Sequence, residues 1–523
     1  MRSSSSNSRR SRRGFLRLGA AGAALAGASA IPWGRSLPLL RGAEALAAGT
    51  SDAFVEPPLR RSAGGVLETQ LHAARSQVYV ADHPVVATVY DGSLAGPTLR
   101  VRAGDRLGIT LFNDLEQATN LHFHGAHVHP GDNSDNIFIH INPGEKFRYE
   151  YNIPADHPSG LYWYHPHAHG TNEQQVFGGL AGSIIVEGDI DNVPGIAGLR
   201  ERLLFLQHIV PGPDGQTMGV RDPRTAEDHG PTGYRLINGQ YRPTLSMRPG
   251  ETQRWRIANA SANDFFRLSL QGHQFHLIGR DGNPMSQIQT VDELLIAPGQ
   301  RREVLIQSGP IGTYEFKALT YQWGFDTDPE VLIGYLKSEG DAASYQPLPA
   351  TLLPSPDFRH ATVDRKREFT MGMDVKWPGN ALFLVDGKVF DASRTDVVAN
   401  LNATEEWTLH NETEDWHPFH IHINPFQTIA INGKPVDNFG LEDTASVPPG
   451  GSLTMRTRFE DFTGAFVWHC HILQHEEGGM MQVIQVVHEG ETAPPPPGGH
   501  GAPEHQVPGH ESALGSYPFV CPI

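Results

Sequence analysis

The chain has 523 residues, too many for one ordinary domain, so several units with substantial cores are expected. Its 56 glycines and 40 prolines suit many short strands and turns, and its two cysteines exclude a disulfide framework. Formal charge is −17 although the first 47 residues carry eight arginines against one glutamate, and so acidic a surface repels nucleic acid and anionic lipid while attracting cations.

Residues 11–30, SRRGFLRLGAAGAALAGASA, set paired Arg12 and Arg13 before Phe15 and Leu16 and a weakly apolar run too short to span a membrane and stay there. This order resembles a twin-arginine export signal. It implies recognition by the twin-arginine export machinery, passage in the folded state to the periplasm or beyond, and no stable membrane insertion. Small-residue exits end at Ala30 and at Ala47, and either suits cleavage. At the other end, residues 491–523 are rich in Pro, Gly and His, as in a solvated extension; this tail holds His500, His505, His510 and Cys521.

Between the ends the sequence repeats. PTLRVRAGDRLGITLFN (97–113), PTLSMRPGETQRWRIAN (243–259) and VVANLNATEEWTLHN (397–411) each run into an alternating strand closed by Asn113, Asn259 or Asn411. The spacing of about 150 residues is a domain length rather than a solenoid period. Alternation rich in aromatic and β-branched residues and punctuated by Gly and Pro predicts an all-β chain of three tandem sandwiches, at 48–190, 191–345 and 346–490, after a signal segment at 1–47.

The 27 histidines form six His-x-His pairs, against about 1.3 expected by chance. They are His122/His124, His127/His129, His165/His167, His167/His169, His420/His422 and His469/His471. On a strand, residues i and i+2 share a face, so each pair aims two imidazoles at one spot. In the segment HCH the same rule turns Cys470 away from His469 and His471.

Aligned on Gly160, Gly312 and Gly464, repeat one offers His165 and His167 where repeat three has His469 and His471. Repeat two offers Lys317 and Leu319. Likewise His122 and His124 match His420 and His422, while repeat two has Ser269 and Gln271. Repeats one and three therefore supply four imidazoles each to a shared cluster. Repeat three alone adds a thiolate site from His417, Cys470, His475 and Met480, with Met481 adjacent. A thiolate, two imidazoles and a weak thioether form the ligand set of a blue-copper centre. Zinc also binds imidazole and thiolate well, but only a redox metal gains from a thiolate site joined to a histidine cluster by one residue of backbone.

The segments LHFHG, WYHPH, HPFHIH and HCHILQHEEGGM resemble the four copper motifs of the multicopper oxidases, and the likeness covers about residues 65–490. The resemblance implies three cupredoxin-like Greek-key β-sandwich domains and four copper ions: one type 1, one type 2 and a type 3 pair. By it, His417, Cys470, His475 and Met480 hold type 1 copper, and His122 and His420 hold type 2. The type 3 pair falls to His124, His165, His167, His422, His469 and His471. Electrons from a small reducing substrate would pass through Cys470 to the cluster, where dioxygen becomes water. Phe123 departs from the family's frequent Trp, and His127, His129 and His169 are additional.

Reducing dioxygen also consumes protons, and Glu476 and Asp135 lie where the family places proton-delivering acids, with Asp132 as a competitor for the second role. With nine methionines and no Met-rich stretch, laccase-like oxidation of phenols and aromatic amines is the expected activity. Oxidation of Cu(I), Fe(II) or Mn(II) is the alternative. A copper-free scaffold of the same fold is a third reading, against which the complete ligand set argues. Copper nitrite reductase would not need a type 3 pair.

Overall fold

The computed structural model describes residues 53–497 apart from 213, 218–232, 377–379 and 438. The expected export segment with Ala30 and Ala47, and His500, His505, His510 and Cys521 of the tail, lie outside the described residues. No helix among the described residues is long and apolar enough to cross a membrane.

The all-β fold expected from the sequence is the one observed, as three face-to-face pairs of sheets in tandem. The first pair has five and four strands, and the second and third have six and five each. Every sheet alternates buried and exposed positions or buries both faces, and the fully buried Trp163, Trp255, Trp407 and Trp468 anchor the interior.

The asparagine that closes each repeat has a specific task. Asn113 donates its amide to the carbonyls of Gln117 and Ile141 and accepts from the backbone of Leu115. Asn259 does the same with Asp264, Ile296 and Ser261, and Asn411 with Asp415, Val447 and Thr413. Each side chain thus satisfies buried backbone groups in the loop that leads into the next strand of the opposite sheet and ties that loop to a carbonyl 28 to 37 residues further on. In repeats one and three those strands are His122–His124 and His417–Ile421. In repeat two it is Phe266–Leu270, which carries no histidine.

Strand register then gathers the motifs. His122 lies opposite His165 across an antiparallel ladder, and His420 lies opposite His469. Phe419 lies opposite Cys470, so the thiol sits on the interior side of its sheet, within the apolar core of the third sandwich.

Candidate metal centres

The strand Gly464–Cys470 runs directly into the short helix Leu473–Glu477, which returns His475 beside the thiol. His417 Nδ1 and His475 Nδ1 stand 3.1 Å apart, and Cys470 Sγ is 3.5 Å from the first and 3.6 Å from the second. One proton cannot satisfy three such atoms. Ligands sharing a tetrahedral metal, with bonds of about 2.0 Å to nitrogen and 2.3 Å to sulfur, fall about 3.3 and 3.5 Å apart, so the triangle has the size of a metal site. Thr413 Oγ1, 2.7 Å from His417 Nε2, fixes the outer edge of that ring, and Phe383 stacks on His475 with centroids 4.1 Å apart. Burial pushes the Cys470 thiol well above its ordinary range, so metal binding must displace its proton. Met480 is fully buried in the same core and accepts the Cys470 backbone N–H at its carbonyl.

The opposite face of the same strand belongs to a second cluster. His122, His420 and His422 offer nitrogens mutually within 4.8 Å, as do His122, His124 and His165, and as do His167, His422 and His469. His469 Nε2 is 3.2 Å from His167 Nε2 and 3.4 Å from His422 Nε2. The His471 ring lies 4.9 Å from that of His124 and 5.6 Å from that of His165. All eight rings are buried, and nitrogens of His122, His124, His165, His420 and His471 have no hydrogen-bond partner. Such orphaned lone pairs are costly unless a cation takes them. Burial, reinforced by neighbouring imidazoles, holds His122, His124, His165, His422, His469 and His471 well below the usual histidine range, and burial lowers His167 to about 3. Neutral imidazoles keep the lone pairs that a soft or borderline metal needs.

The additional histidines stand apart. His127 bridges the Ile423 carbonyl and Asp461, His129 accepts from the backbone of Gly131, and half-exposed His169 lies beside Glu477 and Phe390. Of the two candidate acids, Asp132 is exposed, whereas Asp135 is buried with both oxygens 3.0 Å from His122 Nδ1. Desolvation raises the Asp135 carboxyl to about 8 despite a hydrogen bond from the backbone of Phe123. Desolvation likewise holds Glu476 well above its usual range; this acid lies 3.2 Å from His469 Nδ1, 3.6 Å from His167 Nδ1, and accepts from Asn172.

Profile models described as multicopper oxidase match residues 72–190, 214–330 and 357–490, one per sandwich and together most of the chain. The chain belongs to the multicopper oxidase family. These enzymes are oxidoreductases that use copper, and the orphaned nitrogens and the sulfur–imidazole triangle fit that metal. Among its relatives, the multicopper oxidase mco of Staphylococcus aureus is 28% identical over 406 residues, covering 76% of this chain and 83% of that protein. A multicopper oxidase from Campylobacter jejuni, described as a metallo-oxidase, superposes with a TM-score of 0.74 at 28% identity, covering 83% of this chain and 95% of its own. The laccase-like CueO of Ochrobactrum sp., described as active towards lignin model compounds and lignosulfonate, does so with 0.70 at 25%, covering 82% and 99%.

Three residues near the clusters escaped the sequence reading. Asp443 and Thr444 touch His420, and Arg301 of repeat two grips Asp443.

Proposed function

We propose that this multicopper oxidase couples one-electron oxidation of phenols and aromatic amines to the four-electron, four-proton reduction of dioxygen to two waters. His417, Cys470, His475 and Met480 would hold the type 1 ion, His122 and His420 the type 2 ion, and His124, His165, His167, His422, His469 and His471 the type 3 pair. When bound, these four coppers supply the redox chemistry. The carrying observation is that Cys470 and its neighbours His469 and His471 face different clusters, which leaves only a few covalent bonds between the two. The division into sandwiches at 48–190, 191–345 and 346–490 belongs to the same reading, supported by strand ladders that each close within one segment. Oxygen uptake by the copper-loaded protein, with a phenol, Cu(I), Fe(II) and Mn(II) offered in turn, tests it. Uptake with the phenol is expected, and no uptake with any donor contradicts it.

The chain's own acids serve the proton side of the reaction. Glu476 and Asp135 sit buried against His469 and His122, where desolvation raises the proton affinity of both, so each is suited to hold and pass a proton at a carboxyl oxygen beside the cluster. Glu476→Gln is expected to slow oxygen consumption by about 100-fold, the range typical of a lost general acid, while the blue site is still reduced by substrate at the normal rate. Stopped-flow bleaching of the blue colour, set beside steady-state uptake, checks the separation.

One observation favours metal ions as a second class of donor. His475 is only 2% exposed, and the buried Phe383 ring stacks on it, so a bulky aromatic donor has little room to reach the imidazole directly. Phe383→Ala is expected to raise kcat/KM for bulky phenols severalfold and to leave small ions unaffected. Unchanged kcat/KM for every phenol would show that Phe383 does not gate the site.

A further inference from the structure

Among the described residues, repeat two contributes no histidine to either cluster, yet one of its arginines reaches the larger one. Arg301 is fully buried on the strand Arg301–Gln307. Its fork grips Asp443, with Nη1 2.8 Å from Oδ1 and Nη2 2.5 Å from Oδ2. Its Nε donates to the Leu161 carbonyl, at the head of the strand that carries His165, and Nη1 also donates to the carbonyl of Gly299. One guanidinium therefore ties together all three sandwiches. Backbone crowding fits this arrangement. Gly125, directly after His124, has φ +82°, and a Cβ there would overlap both Arg301 and Asp443.

Asp443 in turn faces two imidazoles. The rings of His124 and His420 stack in parallel, 3.9 Å between centroids and 9° between planes. His420 Nδ1 is 2.9 Å from the Asp443 carbonyl oxygen and 3.4 Å from its carboxylate. A carbonyl only accepts, so Nδ1 carries the proton and Nε2, which has no partner, keeps the lone pair. His124 presents the reverse: Nε2 is 3.3 Å from Asp443 Oδ1, and Nδ1 has no partner. Thr444 Oγ1 donates to Oδ1 at 2.8 Å and stands 3.2 Å from His420 Nδ1. With both oxygens held by Arg301, and one by Thr444 as well, Asp443 is an acceptor for ring N–H groups rather than a metal ligand.

We infer that Asp443, oriented by Arg301 of the second sandwich, is a positioning residue that sets which nitrogen His124 and His420 present to the copper cluster, opposite ones on two stacked rings. The inference rests on the copper-cluster reading above. Repeat two thereby acts on the centre through an ion pair, while its Gln300 and Asp281 bond the backbone of Thr444 beside it.

The test compares copper-loaded wild type with Asp443→Asn, Arg301→Met and Arg301→Lys by thermal midpoint, blue absorption, the electron paramagnetic resonance signal of type 2 copper, and steady-state oxygen uptake. Asp443→Asn keeps the shape but can place an N–H where a ring N–H must be accepted. It is expected to alter the type 2 signal and lower kcat by about 10- to 100-fold, with blue colour and KM for the reducing substrate unchanged. Arg301→Met should do the same, and Arg301→Lys should recover part of the signal. Folded variants with the wild-type signal and kcat overturn the inference. So does a parallel fall of blue colour, type 2 signal and thermal midpoint, which marks a strut between sandwiches. A wild type that binds no copper overturns the functional reading instead.

Discussion

Cys470→Ser is expected to be colourless and to lose steady turnover by more than about 100-fold, beyond the range that changes outside the ligand shell usually produce. The thiol is fully buried between two imidazole nitrogens, and a serine hydroxyl there is neither soft enough nor acidic enough to replace a thiolate. His469 and His471 face the other cluster, so the variant should keep its type 2 signal and lose about one copper per chain. Metal analysis beside absorption and paramagnetic resonance spectra reads all three properties. A blue, active Cys470→Ser protein would contradict the assignment, and loss of every copper would show that the two sites are not independent.

Stripped of metal, the chain is expected to unfold on mild acidification that the copper-loaded protein survives. Burial holds eight histidines below their unfolded value near 6.5, with His167 and His417 at about 3 and the other six well below the usual range. A base whose folded pKa is depressed binds fewer protons folded than unfolded. Its neutral form therefore costs nothing above about pH 6.5, and stability is lost progressively as pH falls from there towards the folded pKa. Each such histidine can contribute a slope of up to about 1.4 kcal/mol per pH unit, so several acting together exceed the whole stability of an ordinary domain within two units. Bound copper competes with the proton for the same lone pairs and opposes the loss. Urea midpoints of chelated and copper-loaded protein between about pH 7 and 4.5 should diverge steadily. Parallel curves would mean that the imidazoles are solvated rather than held neutral in a dry cluster.

Period and spacing made much of this molecule legible in its sequence. Alternation gave the strands, the recurring Asn113, Asn259 and Asn411 marked three copies, and the i, i+2 rule put His469 and His471 on one side and Cys470 on the other. These signals are local, because a strand has only two faces and each repeat's alternation and closing asparagine fall within one short run of sequence. The partners of the clusters are long-range. Arg301 lies 142 residues from Asp443, and Asp443 lies 319 from His124, so no window of sequence brings them together. Phe383 reached His475 through a hairpin whose residues look like any apolar strand. Gly125 read as part of a copper motif, and only the crowding of Arg301 and Asp443 around it shows why a side chain is excluded.

Copper bound per chain, followed during titration of the metal-free protein together with the blue absorption and the type 2 resonance, is the most direct measurement. Saturation at about four ions, with a blue centre and a separate type 2 signal, is the expected result. A colourless protein at saturation, or one ion shared by Cys470, His469 and His471, would show that sulfur and imidazoles do not serve two different metal centres.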